Sequence, residues 1–210
     1  MPTLSVGNCR QLSVRIMDLM HEFRHEVFVK RLKWSLPETS EGMERDQYDT
    51  SSARYVVLSD DSERVTACAR LLPTTDRYML PELFPQLLGS CETPRGPDIW
   101  ELSRFATSVR ETGEGRILSL SPPTLDFLEQ VIECAQRHNI GRLVFVTSIG
   151  IERLMLRAGV RVHRIGPPAL VEGQLTVALF IEVRKELAIT PASASVAMDM
   201  THVSAAGVAA

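Results

Sequence analysis

The chain of 210 residues lacks the features that mark several large classes of protein. No apolar run approaches the roughly 18 residues that a membrane-spanning helix needs. Residues 1–11 show no basic segment followed by an apolar one, so no secretory leader is expected. The formal net charge is only −3, and no broad positive field suggests a nucleic-acid partner. We therefore expect neither membrane insertion nor nucleic-acid binding.

Cysteine is also scarce. The four cysteines lie far apart and include no C-x-x-C pair, which is typical of reduced thiols in a cytoplasmic protein and not of a disulfide framework or zinc site. Apolar residues make up 44% and charged residues 23% of the chain, close to the average for globular proteins. The length fits one domain, which we assign to residues 1–187. Residues 188–210 contain no lysine, arginine or aromatic residue and are expected to be disordered.

Hydrophobic periodicity predicts alternating helices and strands. A long helix is expected over residues 8–31, a second one beginning at Ser121 and Pro122, and a third over 149–158. A short helical piece fits residues 83–88. Strands are predicted over 53–59, 64–72, 98–107, 143–146 and 175–183, with a hairpin turn at 60–62. This alternation indicates a layered α/β sandwich.

The run His21-Glu22-Phe23-Arg24-His25 matches H-E-x-x-H, the zinc-peptidase signature. On a helical wheel, however, both histidines point roughly 150° away from the centre of the apolar stripe. We therefore predict two solvated histidines and no metal. The longer form of the signature fails as well, and Glu44 is no better a third ligand than any other acid nearby. A zinc peptidase is kept only as the third choice of enzyme.

Eight residues with chemistry-bearing side chains follow one another from the first helix to the third predicted strand. Arg24 and Phe28 lie one helical turn apart, two aspartates lie in the polar stretch 33–52, and the run Trp100-Glu101-Leu102-Ser103-Arg104-Phe105 falls on a strand. The set is Arg24, Phe28, Trp34, Asp46, Asp49, Arg70, Glu101 and Arg104. It resembles the signature of the LuxI-type acyl-homoserine lactone synthases, and Arg157-Ala158-Gly159 also looks like that family. The resemblance extends over roughly residues 1–183.

The resemblance implies an acyltransferase. Such an enzyme takes an acyl chain from acyl carrier protein and transfers it to the amine of S-adenosylmethionine, which closes to a lactone and releases methylthioadenosine. The product is a quorum-sensing signal. S-adenosylmethionine is a substrate, so no cofactor is expected. The fold implied is a three-layer α/β/α sandwich with a mixed central sheet, resembling the GNAT N-acetyltransferases.

The segment Arg110-Glu111-Thr112-Gly113-Glu114-Gly115 fits the R-x-x-G-x-G turn with which acetyltransferases bind coenzyme A. Glu111 and Glu114 would repel a pyrophosphate, which favours the phosphopantetheine arm of a carrier protein. A simple glycine turn remains the plain alternative. Two other functions stay open: an N-acyltransferase of GNAT type that uses acyl-coenzyme A, and a non-catalytic lactone-binding regulator, although no basic helix-turn-helix is apparent.

The roles of the site residues follow from this resemblance and from the chemistry. Glu101 is the expected catalytic base. Phe28 and Trp34 are expected to bind the adenine and the sulfonium, with Arg24 or Arg104 on the carboxylate of S-adenosylmethionine. A structural ion-pair network is expected from Asp46, Asp49 and Arg70. Because Glu101 and Arg104 are three apart, a regular strand would direct them to opposite faces, so we predict a bulge within residues 103–106.

The acyl pocket is expected between the central strands and the Ser121 helix. Its predicted lining is Leu102, Phe105, Leu125, Val144, Phe145, Val146, Thr147, Leu154 and Leu179. Phe145 stands where relatives that make 3-oxo chains have threonine, which favours an unsubstituted chain of about six to ten carbons unless Thr147 takes that place. A basic stripe suited to docking the acidic carrier protein is predicted from Arg153, Arg157, Arg161 and Arg164.

Overall fold

A computed structural model describes residues 1–34, 42–108 and 120–183 of the chain. The strands within these ranges are β1 (Thr3–Gly7), β2 (Arg54–Ser59), β3 (Val65–Pro73), β4 (Ile99–Thr107), β5 (Arg142–Ser148), β6 (His163–Arg164), β7 (Ala169–Val171) and β8 (Gln174–Glu182). These eight strands form one sheet in the order β1-β2-β3-β4-β5-β8-β6, with β7 paired to β8. The helices are α1 (Val14–Arg24), α2 (Met79–Leu83), α3 (Pro122–Arg137) and α4 (Ile149–Arg157).

The expected sandwich with a mixed central sheet is confirmed. The β4–β5 pair is parallel and the other pairs are antiparallel. Buried apolar side chains form one cluster on the α1 side of the sheet, which includes Met20 and Tyr55, and another on the α3 side, which includes Phe127 and Leu143. Two apolar faces covered by helices make the three layers. None of the described helices is both long enough and apolar enough to span a membrane.

The first helix differs from the single element expected over residues 8–31. β1 precedes it, and α1 begins only after Ser13, whose hydroxyl accepts the N–H of Ile16 at 3.2 Å. After Arg24 the helix widens into a π-helix, His25–Arg31. The apolar pattern of the sequence does not distinguish a π-helix from an α-helix here, because both forms keep apolar residues at intervals of three to five positions.

Residues 110–115 and 188–210, which carry the predicted R-x-x-G-x-G segment and the predicted disordered tail, lie outside the described ranges.

A bulge in β4 confirms the irregularity expected within residues 103–106. Cys68 pairs with Ala106 and Arg70 with Ser103, so Arg104 and Phe105 together face the single residue Ala69. Arg104 has a φ of 50°, in the left-handed region that residues other than glycine rarely adopt. The extra residue brings the Arg104 side chain to the same face as the side chain of Ser103.

The central sheet separates between β4 and β5. The two strands pair only at Ile99↔Arg142, Trp100↔Leu143 and Glu101↔Val144, although each continues well beyond these positions. Beyond Glu101 and Val144 the two strands are not paired with each other. The unpaired edges of β4 and β5 beyond these residues can therefore bond to an extended ligand.

Candidate active site

A cluster of buried charges lies on the α1 face of the sheet, beside the bulge. It consists of three arginines and three carboxylates, drawn from α1, β3, β4 and the segment before β2: Arg24, Arg70, Arg104, Glu44, Asp46 and Asp49. Every one of these side chains is no more than 7% exposed. The expected ion-pair network therefore exists, but it is larger than the three residues Asp46, Asp49 and Arg70.

The pairs in this cluster are close and mostly bidentate. Arg24 contacts Asp49 through both terminal nitrogens at 2.7 and 3.0 Å, and its Nε lies 2.5 Å from Glu44. Arg70 contacts Asp46 at 2.6 and 3.0 Å and reaches Asp49 at 2.9 Å. Paired planar groups of this kind fix one geometry and join the separate segments into one rigid unit.

The electrostatics of the cluster favour the ionised forms of Glu44 and Asp49. Burial opposes ionisation of Glu44, but the guanidinium groups of Arg24 and Arg104 outweigh it and hold the pKa of Glu44 below its ordinary value. Burial likewise opposes ionisation of Asp49, and Arg24 and Arg70 lower its pKa far below the ordinary value. Glu44 and Asp49 are thus stabilised as anions only because their arginine partners are present.

Two arginines expected on the substrate lie inside this cluster. Arg24 donates from all three of its nitrogens to Glu44 and Asp49, so the structure assigns its donors to the protein and not to a ligand. Arg104 binds Glu44 and Asp46 through Nε and Nη2, at 2.8–3.2 Å. Its Nη1 is buried and has no hydrogen-bond partner among the described residues. An unpaired cationic donor of this kind suits an anionic ligand group.

An aromatic pair lies next to that donor. Phe28, from the π-helix, stacks on Trp34 with 4.7 Å between ring centroids and 25° between planes. The guanidinium carbon of Arg104 is 5.6 Å from the centroid of Phe28. The widened helix and its end supply these rings, since the N–H of Trp34 donates to the carbonyl of Phe28 at 2.9 Å. Aromatic faces and a cationic donor together suit a ligand with a flat or cationic part and a carboxylate.

Glu101 occupies the point where the sheet begins to separate. Its two carboxylate oxygens accept the N–H groups of Met79 at 2.8 Å and Leu80 at 2.7 Å, in the first turn of α2. Burial raises the pKa of Glu101 to about 7, and the two N–H groups only partly oppose this rise. A carboxyl with such a pKa exchanges a proton readily near neutral pH, and each oxygen keeps a second lone pair. Sequence reasoning identified Glu101 but gave no sign of its contact with α2.

The predicted acyl-pocket residues do not share one surface. Leu102, Phe145 and Leu179 belong to the cluster on the α3 side, against which Phe105 and Leu125 also pack, whereas Val144 and Val146 belong to the cluster on the α1 side. Side chains alternate along a strand, so the consecutive residues 144–147 could not all line one pocket. Leu154 is only half-buried on α4 and belongs to neither cluster. Thr147 is buried, with a hydroxyl that has no partner in the described part of the chain.

The predicted docking arginines all lie on the surface in and after α4. Arg153, Arg157, Arg161 and Arg164 are exposed. Leu156, on the same helix, is 53% exposed. Arg164, however, forms a bidentate pair with Glu152 at 2.6 and 2.7 Å. The stripe is therefore less positive at Arg164 than the sequence suggested.

The solvated position predicted for His21 is wrong. His21 is 3% exposed and its Nδ1 lies 2.8 Å from the carbonyl oxygen of Glu44. The segment that carries Glu44 covers this side of α1, which a helical wheel of α1 alone cannot show. Across residues 1–34, 42–108 and 120–183, no three His, Cys, Asp or Glu side chains are grouped so that they could hold a metal ion.

Glu44 is a member of the ion-pair cluster that was not predicted from the sequence. Its signal was its place two residues before Asp46 in the same acidic stretch.

A separate groove of about 620 Å³ lies on the outer side of α1, lined by Leu19, Phe23 and Val65 among others, and includes none of the predicted site residues.

The fold, a mixed sheet with helices on both faces, is shared with solved acyl-homoserine lactone synthases. The chain belongs to the autoinducer synthase family, whose family model matches residues 8–189. It is 40% identical over 164 residues to an acyl-homoserine-lactone synthase of Acinetobacter nosocomialis, covering 77% of this chain and 88% of that protein. The activity that the family membership supports is acyl-homoserine lactone synthesis.

Solved structures agree with this assignment. The acyl-homoserine lactone synthase LasI matches with a TM-score of 0.78 and 34% identity, covering 95% of this chain and 99% of that one. BjaI, described as a coenzyme A-dependent acyl-homoserine lactone synthase and solved with S-adenosylmethionine and isopentyl-coenzyme A, matches with a TM-score of 0.77 and 27% identity. The match covers 89% of this chain and 85% of BjaI.

Proposed function

We propose that the protein transfers a medium-length acyl chain from acyl carrier protein to the α-amine of S-adenosylmethionine, and that the acylated product closes to a lactone with release of methylthioadenosine. One observation carries the proposal: the bulge in β4 brings Arg104, with its unpaired Nη1, onto the face where Phe28 stacks on Trp34. The presence of S-adenosylmethionine in the BjaI structure supports the same substrate.

Binding of S-adenosylmethionine uses its three chemical parts. The carboxylate accepts a hydrogen bond from Nη1 of Arg104, the donor left over by the cluster. The adenine and the sulfonium lie against Phe28 and Trp34, because an aromatic face attracts a cation. Arg24 acts through Glu44, which it shares with Arg104.

Acyl transfer requires a free amine. The α-amino group has a pKa near 8, so it needs only modest help to lose its proton. Glu101, acting directly or through one water, accepts this proton while the nitrogen attacks the thioester carbon. The C–N bond forms, the C–S bond breaks, and the thiolate of the carrier arm takes up a proton. Backbone N–H groups just after Arg104 are the candidates for stabilising the charge on the thioester oxygen.

Lactone closure needs less from the protein. A carboxylate oxygen of the acylated substrate attacks the carbon next to the sulfonium, a C–O bond forms, and the C–S bond breaks. Methylthioadenosine leaves as a neutral thioether. The sulfonium is already a good leaving group, so holding the substrate folded supplies most of the rate. No metal and no cofactor enters either step.

The acyl donor is proposed to be acyl carrier protein. The exposed arginines Arg153 and Arg161 have the right charge for its acidic surface. The unpaired edges of β4 and β5 beyond Glu101 and Val144 would receive the extended phosphopantetheine arm. Acyl-coenzyme A is the second candidate, because BjaI is described as coenzyme A-dependent. The R-x-x-G-x-G segment at 110–115 lies outside the described residues and does not decide between the two donors.

The acyl chain is proposed to be unsubstituted and about six to ten carbons long. The apolar cluster on the α3 side of the sheet suits an alkyl chain, whereas the α1 side holds the buried charges. Phe145, which is buried on the α3 side, has no group that could bond a 3-oxo oxygen. Thr147 is the nearby exception, because its buried hydroxyl has no partner among the described residues.

The experiment mixes the purified protein with S-adenosylmethionine and acyl carrier proteins loaded with chains of four to twelve carbons. Parallel reactions contain the matching acyl-coenzyme A thioesters. Mass spectrometry should detect the lactone and methylthioadenosine in equal amounts, with the highest kcat/KM for a six- to ten-carbon carrier thioester. A higher kcat/KM with coenzyme A thioesters would replace the proposed donor, and an acylated product without methylthioadenosine would contradict the proposed reaction.

A further inference from the structure

His21 holds the main chain of Glu44 at two points. Its Nδ1 lies 2.8 Å from the carbonyl oxygen of Glu44, and its own carbonyl oxygen accepts the N–H of Glu44 at 3.0 Å. Because a carbonyl oxygen can only accept, Nδ1 carries the proton and donates it. Both main-chain polar groups of Glu44 are thus bonded to a single residue of α1.

The surroundings keep the His21 ring neutral and fixed. Burial lowers the pKa of His21, and the positive charge of Arg24 lowers it further, while Asp49 and the carbonyl of Glu44 oppose this. The positive charge of Arg45 also lowers the pKa of His21. Tyr55 packs edge-on against the ring at 6.5 Å and donates from its hydroxyl to Asp49.

The position of Glu44 matters because two arginines share its carboxylate. Arg24 approaches one oxygen through Nε at 2.5 Å, and Arg104 approaches both oxygens through Nε and Nη2. A shift of the Glu44 main chain would therefore draw Arg104 with it or break these bonds. Either change would alter where the unpaired Nη1 lies relative to Phe28.

We propose that His21 is a positioning residue, which fixes the main chain of Glu44 and thereby holds Arg104 with its Nη1 available for the carboxylate of the substrate. The inference rests on the proposed function, in which that carboxylate belongs to S-adenosylmethionine. His21 itself touches neither substrate nor reacting atoms. The H-E-x-x-H run thus contributes one hydrogen-bond donor to the site and not a pair of metal ligands.

The test compares variants that differ in hydrogen bonding and little in shape. In His21→Asn the amide nitrogen can take the place of Nδ1, whereas His21→Leu has the same outline as asparagine but no donor. In His21→Gln the nitrogen reaches the place of Nε2 instead. His25→Asn, at the other histidine of the run, is the matched control. Calorimetry measures the Kd for S-adenosylmethionine, thermal unfolding checks the fold, and steady-state kinetics measures kcat and both KM values.

We expect His21→Leu and His21→Gln to weaken S-adenosylmethionine binding about tenfold, equal to about 1.4 kcal/mol, and to raise its KM in parallel. The KM for the acyl donor should stay within twofold in all variants. The Kd of His21→Asn for S-adenosylmethionine should lie within about threefold of that of the unaltered protein. The Kd of His25→Asn should equal that of the unaltered protein.

Three results would overturn the role of His21. One is unaltered S-adenosylmethionine binding by a folded His21→Leu or His21→Gln protein, and another is equal weakening in the asparagine and glutamine variants. The third is a fall in kcat with both KM values unchanged, which would mean only a smaller folded fraction. If the unaltered protein itself fails to bind S-adenosylmethionine, the proposed function fails first and this proposal with it. Measuring S-adenosylmethionine binding by the unaltered protein distinguishes a failure of the proposed function from a failure of the role of His21 alone.

Discussion

Arg104 and Glu44, 60 residues apart in the chain, form a fully buried ion pair with 2.9 Å between Nη2 and Oε1. The pair joins the bulge in β4 to the segment that precedes β2. Because Arg24 shares the same carboxylate, three parts of the chain meet at one glutamate. Removing that charge would leave two buried guanidinium groups short of a counter-charge, which is costly at low dielectric.

The first prediction concerns stability. Glu44→Gln keeps the shape of the side chain and removes the charge, so we expect a loss of about 3–5 kcal/mol in the free energy of unfolding. Urea denaturation followed by circular dichroism measures it. Glu63→Gln is the control, because Glu63 pairs with Arg15 on the surface, where both side chains are at least 70% exposed, and such pairs contribute less than about 1 kcal/mol. Equal losses in both variants would contradict the importance of burial.

The second prediction concerns pH. Burial raises the pKa of Glu101 to about 7, so this group is protonated, and unable to accept a proton, below that pH. With S-adenosylmethionine saturating, kcat/KM for the acyl donor should therefore rise as the pH passes through about 7. Glu101→Gln should lower turnover about a hundredfold or more and abolish the rise of kcat/KM near pH 7. A rise near pH 8, caused by deprotonation of the substrate amine, should remain. A wild-type limb that persists unchanged in the variant would exclude Glu101 as the base.

The third prediction concerns the acyl donor. Reversing the charge of Arg153 and Arg161 together, both to Glu, should raise the KM for acyl carrier protein about tenfold at low salt, because a complementary charge becomes a repulsive one. The effect should shrink as salt is added. The KM for S-adenosylmethionine should not change. Arg15→Glu, an exposed arginine at the start of α1, is the control, and an equal effect from Arg15→Glu would mean that the docking surface lies elsewhere.

The fourth prediction concerns chain chemistry. Phe145→Thr should raise the ratio of 3-oxo to unsubstituted product about tenfold, since a hydroxyl can bond the 3-oxo oxygen and phenylalanine cannot. Competition between the two eight-carbon donors, with products counted by mass, measures the ratio. Thr147→Val is compared in the same assay. If Thr147→Val abolishes existing 3-oxo activity while Phe145→Thr adds none, Thr147 and not Phe145 determines this preference.

Local sequence patterns were sufficient to predict many of the helices and strands of this protein. Runs of strand-forming residues predicted β2, β3, β4 and β8, and the Ser121-Pro122 start predicted α3, because these signals act within a few residues. The spacing of Glu101 and Arg104 predicted the bulge, since a regular strand cannot direct both to one face. The order of charged and aromatic residues pointed to the family.

Only the tertiary structure decided how those residues are used. The sequence does not show that Arg24 gives its donors to Glu44 and Asp49, or that Glu101 accepts the N–H groups of Met79 and Leu80. It also misassigned His21, because solvent exposure depends on which distant segment covers a helix face. Hydrophobic periodicity reports on residues one or two helical turns apart. Pairing among the buried charges joins residues 20 to 60 positions apart in the chain, and these residues come into contact only when the protein folds.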